Sequence, residues 1–367
     1  MTDAPQGPQP KPGILDIAPY VGGKSSIVGV AEPMKLSSNE NMLGAGEKAR
    51  AAYEAAVRNI HVYPDGRATK LRTAVAQTHG LEPERLIFGN GSDEVLAHVF
   101  VGLLKHPNKP ILFPDITYSF YPVYCQLFGI EHRTIALDDQ FAIRVEAYLE
   151  HSKQYGGNGG IIFPNPNAPT GRGLPRSQIE RLLAQNQNSV VVVDEAYVDY
   201  GTESCVPLLH NNSANLLITH TLSKSRALAG LRVGYALGHP DLITGLERVK
   251  NSFNSYPLDK LAQVGAIAAM EDQAHLDTMS SKVIATRSQF VKELDVLGFE
   301  TLPSSANFVF TRHPKYDGAR IHQELRDRGI IVRHFKTKRI DQFLRITIGT
   351  DEQMDALLSV LNELLSV

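Results

Sequence analysis

The chain has 367 residues, 43% hydrophobic and 21% charged, with a formal net charge of −2. That length exceeds one ordinary core, so two domains are expected, with the composition of a folded globular protein. The balanced charge argues against a nucleic-acid-binding or strongly electrostatic membrane surface.

The first thirteen residues, "MTDAPQGPQPKPG", are rich in Pro, Gly and Gln and lack an apolar stretch. They are expected to form a disordered lead-in, not a secretory signal. No apolar run approaches the roughly 20 residues of a membrane span. Two cysteines, Cys125 and Cys205, cannot make a disulfide framework and point to a reducing compartment. A cytoplasmic protein with no membrane or nucleic-acid partner is the expectation.

From about residue 85, short apolar runs alternate with longer amphipathic ones. "RLIFGNG" reads as a strand and "SDEVLAHVFVGLL" as a helix. "PILFP", "GGIIFPNP", "SVVVVDEAY" and "NLLITHTLS" follow as strands, and "GLRVGYALG" as one more. Continuous rather than alternating apolar runs mark strands buried on both faces. Strands separated by helices imply a parallel sheet with helices over it. Residues 257–297 read as mostly helical. Strand "NFVFT", helix "GARIHQELRDRG", strands "IIVRHF" and "FLRITIG" and helix "DEQMDALLSVLNELL" close the chain.

The expected architecture is therefore α/β. A large domain (46–255) holds a mostly parallel sheet covered by helices on both faces. A smaller α+β C-terminal domain (256–367) follows it, and an N-terminal arm (1–45) packs with the small domain.

In open α/β sheets, ligands bind beyond the carboxyl ends of the strands. Those ends carry "GNGSDE", "PDITYSFY", "NPNAPTG", "DEAY" and "TLSKS". Gly91, Ser92 and Asp93 at a helix start suit either an anion or an ordinary N-cap. Asp194, just past a buried strand, needs a partner such as an Arg or a protonated ring nitrogen, or else caps a turn. Tyr118 is either a core aromatic or a flat ring for stacking. In "TLSKSRALAGLR", Lys224 and Arg232 sit among small and apolar residues. Lys224 is either solvated on a loop or neutralised by a bond to a cofactor. Gly22-Gly23-Lys24-Ser25 looks like the end of a P-loop, but Ala18 stands where such a loop needs Gly and no strand precedes it. No motif has the spacing of a metal site, and no GxSxG elbow is present.

"DEAY", then Lys224 thirty positions after Asp194, then Arg232 in "GLR", resembles the fold-type-I pyridoxal-phosphate aminotransferases. With "KLSSNENMLG", "YPDGRATKLR", "GNGSDEVL" and "FLRITIGT", the resemblance is to the histidinol-phosphate aminotransferase family. It runs from about Tyr20 to the C-terminal helix. It implies that Lys224 bonds covalently to the aldehyde of pyridoxal 5'-phosphate and then acts as general base at the substrate Cα. Asp194 would keep the ring nitrogen protonated. Gly91, Ser92, Asp93, Thr221, Ser223 and Arg232 would surround the phosphate. Tyr118 would stack on the ring and Tyr197 would bond its phenolic oxygen. The family places Asn directly before the Pro of "PTG", where this chain has Ala168, so Asn167 is the candidate replacement.

The same resemblance implies a homodimer in which Tyr63 of "YPDG" reaches the neighbouring subunit's cofactor phosphate. It also implies substrate groups at Tyr20, Asn39, Arg333 and Arg345, with histidinol phosphate and glutamate or 2-oxoglutarate as substrates. Two arginines and a tyrosine suit a dianionic phosphate, unless one arginine pairs with an acid such as Asp341. An aromatic amino-acid aminotransferase and a phospho-amino-acid decarboxylase are the alternatives on this scaffold. A Ser223–Lys224 hydrolase would leave Asp194 and Arg232 without a task.

Overall fold

The computed structural model describes residues 13–20, 22, 26–211 and 213–366. The proline-rich lead-in as far as residue 12, and 23–25 of the P-loop-like stretch, lie outside the described residues.

Thirteen strands are described. They are β1 (Met34–Lys35), β2 (Leu86–Asn90), β3 (Ile111–Pro114), β4 (His132–Ile135), β5 (Gly160–Pro164), β6 (Val191–Asp194), β7 (Leu216–Thr221), β8 (Val233–Gly238), β9 (Glu300–Thr301), β10 (Phe308–Arg312), β11 (Ile330–Ile331), β12 (Arg333–His334) and β13 (Leu344–Thr347). Seven of them form one sheet in the order β2-β8-β7-β6-β5-β3-β4. All neighbours from β7 to β4 pair in parallel, whereas β8 runs antiparallel to both β7 and β2.

Apolar runs explain this sheet. Along β5, β6 and β7, Ile161, Phe163, Val191, Val193, Leu216 and Ile218 enter one core. Ile162, Val192 and Leu217, the residues between them, enter the other. Helices Thr69–His79, Arg176–Gln185 and Lys260–Met270 supply the first core. Helices Gly91–Val99, Phe120–Phe128 and Pro240–Phe253 supply the second. With both faces covered, no polar alternation is needed. Strand β4 escapes the sequence reading because it is an edge. Its Arg133 and Thr134 are exposed, so it lacks an apolar run.

The C-terminal layer is an antiparallel sheet, β12-β13-β10-β9, with its own core of Val309, Leu325, Leu344, Ile346 and Leu357. Leu36, just after β1, joins that core, and β1 pairs in parallel with β11. The run "IIVRHF" is thus two strands, not one. Ile330 and Val332 stay in a single core while the backbone passes from β1's sheet to β13's. Helix Lys260–Met270 buries Ala262, Ala266 and Met270 in the large-sheet core, so the packing changes hands after Met270, later than residue 255. Among the described residues, no helix is long and apolar enough to cross a membrane.

Gly234 in β8 has a packing role that bears on the site. A Cβ there would lie 2.2 Å from the backbone nitrogen of Ser92. Only glycine lets β8 approach the start of helix Gly91–Val99. We expect Gly234→Ala to cost about 1–3 kcal/mol, the range of overpacked cores. A calorimetric melt should show a lowered Tm, and an unchanged melt would mean that the helix start gives way freely.

Candidate active site

Five parallel strands of the large sheet end at one edge. Because β8 is reversed, its first residues lie at that same edge. Beyond the edge lies a cleft of about 520 Å³ shared with β13 and the segment after β1.

One end of the cleft is built for an anion. Gly91 has φ +80°, and its N–H donates to the carbonyl of Arg232 at 2.7 Å. A Cβ on Gly91 would meet the Arg232 guanidinium at 2.5 Å, so glycine is needed for the guanidinium to lie there. Ser92 and Asp93 open the helix into the cleft. Arg232 Nη2 lies 3.2 Å from one Asp93 carboxylate oxygen, and Tyr118 donates to the other at 2.8 Å. The Thr221 hydroxyl donates to Ser223 Oγ at 2.9 Å, and both residues line this end. Free helix N–H groups, hydroxyls and a cation converge here.

In the middle, Asp194 follows the buried run of β6 and is 5% exposed. Thr219 donates to Oδ1 at 3.0 Å and Tyr121 to Oδ2 at 3.2 Å. Among the described residues, no cation pairs with it. Burial pushes its carboxyl pKa up to about 6, against the opposing pull of those two hydroxyls. Lys224 Nζ donates to the carbonyl of Ser38 at 3.0 Å and stands 5.7 Å from the centre of the Tyr197 ring. Tyr197 Oη in turn accepts from Asn39 Nδ2 at 3.0 Å. Asn39 is itself held by Thr347, whose hydroxyl donates to Oδ1 at 3.2 Å.

At the far end, Arg345 rises from β13 between the rings of Phe308 and Phe335. Its Nη2 donates to the carbonyl of Ser37 at 2.8 Å, and its buried Nε has no partner. Among the described residues it has no ion-pair partner, and burial draws its pKa below the ordinary guanidinium value. Asp341, the acid considered as its partner in the sequence, makes no ion pair with it among the described residues. Arg333 and Tyr20 line the same end, with Tyr20 stacked on Phe120 at 4.4 Å.

Three expected residues stand apart from the cleft. Gly91 lies behind Arg232 and its N–H is spent on the Arg232 carbonyl, so it supports the guanidinium and does not face the anion as the sequence reading expected. Asn167 is fully buried; its amide donates to Ile116 O and Thr170 Oγ1, and its Oδ1 accepts from Thr117. Its polar atoms are spent on the loop, and the cleft wall is Ala168 instead. Tyr63 is 81% exposed and packs on Tyr256 at 5.1 Å, away from this cleft. Residues missed in the sequence are Tyr121 and Thr219, which hold Asp194, and the Lys35–Glu40 pair on the cleft wall at 2.8 Å. Thr219 carried a signal, as the first hydroxyl after the apolar run Leu216–Ile218 in a strand buried throughout. Tyr121 carried none.

The sequence pattern of the family described as aminotransferase class I and II matches residues 31–361. The chain belongs to that family. Within it, the histidinol-phosphate aminotransferase of Aromatoleum aromaticum is 55% identical over 350 residues, covering 95% of this chain and 97% of that protein. That of Pseudomonas putida is 54% identical over 352 residues, covering 96% and 98%. The chain thus sits among the histidinol-phosphate aminotransferases. Its fold is that of the histidinol-phosphate aminotransferase from Sinorhizobium meliloti in complex with pyridoxal-5'-phosphate. The TM-score is 0.82 at 23% identity, over 91% of this chain and 92% of that one.

The enclosure of Asp194 has a pH signature in cofactor-free protein. The folded pKa of about 6 exceeds the ordinary 3.8, so between roughly pH 4 and 6 the folded state holds a proton that the unfolded chain has released. Stability therefore falls as pH rises through that window. Asp194→Asn should remove this part, worth about 3 kcal/mol. Denaturant titrations of both proteins at pH 4 and 7 would reveal it, and parallel profiles would mean that Asp194 is hydrated.

Proposed function

We propose that the chain transfers an amino group between histidinol phosphate and 2-oxoglutarate, using pyridoxal 5'-phosphate, as a step of histidine biosynthesis. In the biosynthetic direction, imidazole acetol phosphate and glutamate are the reactants. The names of relatives at 54–55% identity support the substrate. The observation that carries the reading is Arg345, whose buried Nε has no partner and which has no acid beside it among the described residues, opening on the same cleft as Lys224.

The cleft suits the cofactor. A buried carboxylate lacking a cation matches a protonated ring nitrogen, so Asp194 would hold that nitrogen in its charged form. Arg232, Ser223, Thr221 and the N–H groups of Ser92 and Asp93 would hold the phosphate. Tyr118 would cover one ring face and Tyr197 would donate to the ring's oxygen. Lys224 would carry the cofactor covalently. Bound there, the cofactor supplies an electron sink for the electron pair left when the substrate Cα–H is removed.

The remaining work falls to side chains. Lys224 Nζ, once free, takes the proton from the substrate Cα. Its present contact, the Ser38 carbonyl, is neutral and leaves it able to do so. Asn39 donates to Tyr197 Oη, so the phenol's own proton is directed elsewhere, into the cleft. Arg345, with Arg333 beside it, receives the substrate's anion. Desolvation strengthens that pairing, and the unpartnered Nε offers the second prong of a bidentate contact.

Steady-state kinetics test this. Lys224→Ala should abolish transamination. Arg345→Ala should reduce kcat/KM for histidinol phosphate by about 100-fold or more, consistent with loss of a buried charge pair, but reduce that for histidinol far less. Equal or better use of phenylalanine or tyrosine by the wild type would move the assignment to an aromatic aminotransferase.

A second copy of the chain would cover the exposed Tyr63–Tyr256 ring pair and the exposed apolar side chains next to it in sequence, Ile60, Val62 and Phe253. Tyr63 would then reach the partner's cofactor phosphate. Tyr63→Phe should weaken cofactor retention while sedimentation still shows a dimer, whereas an active monomer would contradict the arrangement.

A further inference from the structure

One cleft must take two substrates in turn, and they are alike at one end only. Histidinol phosphate and 2-oxoglutarate each bring an anion beside the reacting carbon, the group that Arg345 receives in the reading above. The opposite arm is an imidazole in one and a carboxylate in the other. An imidazole offers an N–H in either of its charge states and needs an acceptor, whereas a carboxylate needs a cation. A wall that serves both arms must hold an acceptor and a cation close together.

The segment after β1 supplies such a couple. Met34 and Leu36 pack into the C-terminal core, so Lys35 between them faces the other way, into the cleft. Glu40 lines the same cleft, and its Oε1 meets Lys35 Nζ at 2.8 Å. Between the two residues, the carbonyls of Ser37 and Ser38 hold Arg345 and Lys224, and the Asn39 amide holds Tyr197. The pair thus brackets the stretch that orients both the anion-binding and the proton-moving groups.

The other charged groups of the lining already have tasks. Asp93 is engaged by Arg232 and Tyr118, and Asp194 by Thr219 and Tyr121. Glu40 is the remaining acid among the described residues of the lining. Lys224 and Arg232 serve the cofactor, and the two arginines at the far end serve the shared anion. Lys35 is the remaining cation.

The pair is only loosely committed to itself. Its side chains are 28% and 35% exposed. An ion pair this open to water is weak, because solvent screens it and two long side chains must be held in one geometry. Either partner can turn to a ligand at little cost. Until one does, each neutralises the other.

We propose that Lys35 and Glu40 read the arm by which the two substrates differ, Glu40 accepting from the imidazole N–H of the donor and Lys35 pairing with the distal carboxylate of the acceptor. The proposal rests on the substrate reading above and adds two residues that set specificity, one for each half of the reaction.

Steady-state kinetics of the cofactor-loaded enzyme with Glu40→Met and Lys35→Met provide the test, through two ratios of kcat/KM. The donor ratio compares histidinol phosphate with phenylalaninol phosphate, which keeps the phosphate and a ring but has no ring N–H. The acceptor ratio compares 2-oxoglutarate with pyruvate, which lacks the distal carboxylate. Glu40→Met should lower the donor ratio about tenfold and Lys35→Met the acceptor ratio about tenfold, as expected for the loss of one hydrogen bond to a charged group. Neither variant should lower the other's ratio. A pair that only braced the segment would slow all four substrates together and leave both ratios at their wild-type values. That result overturns the proposal, as does either variant failing to move its own ratio or lowering both. Should the wild type fail to favour histidinol phosphate over phenylalanine, the functional reading falls, and the acceptor ratio still decides the place of Lys35. A tenfold fall with Lys35→Met then upholds it, and an unchanged ratio refutes it.

Discussion

A carboxylate sealed at the end of a two-sided buried strand sets the terms for the cleft. β6 is covered on both faces, so Asp194 leaves the sheet into a space with little water. Two hydroxyls, from Tyr121 and Thr219, and the backbone N–H of Ala196 face it, and among the described residues no cation does. Such a group stays neutral or finds a cation. The next residue, Glu195, points to the opposite face, where it meets His220 at 2.9 Å and Ser204 at 2.7 Å. The two-residue period of a strand thus separates a satisfied acid from an unsatisfied one.

The second constraint is the reversal of β8. Had it run with its neighbours, its first residue would lie at the far edge of the sheet. Antiparallel pairing with β7 and β2 brings Arg232 back beside the start of helix Gly91–Val99. Glycines at 91 and 234 remove the Cβ atoms that would keep helix, strand and guanidinium apart. The anion-binding end therefore depends on backbone proximity as much as on charge.

The other wall comes from residues 37–40, far from the sheet in sequence. Two backbone carbonyls there hold Arg345 and Lys224, and the Asn39 amide holds Tyr197. Asn39 takes φ +56°, a conformation that asparagine tolerates better than most residues. Both β1 pairing with β11 and Leu36 packing into the C-terminal core anchor this strap. One short segment thereby orients groups contributed by both sheets, which ties the geometry of proton transfer to that of anion binding.

What the sequence by itself determined follows from local rules. Runs such as "VVVVD" are apolar at every position, which requires burial on both faces and so a helix-covered sheet. Polar residues concentrated at strand ends then marked one edge, and Lys224, Asp194 and Arg232 were legible as its charged members. Tertiary structure decided whatever depended on distant partners. Asn167 could replace the amide missing at Ala168 only if its polar atoms were free, and Ile116, Thr117 and Thr170 consume them. β4 has no local signature because an edge strand borrows its order from β3. Tyr121 reaches Asp194 only because helix Phe120–Phe128 packs across the sheet at that point. Periodicity reports which face of an element is buried, but which polar atoms meet across that burial is settled by packing between elements far apart in the chain.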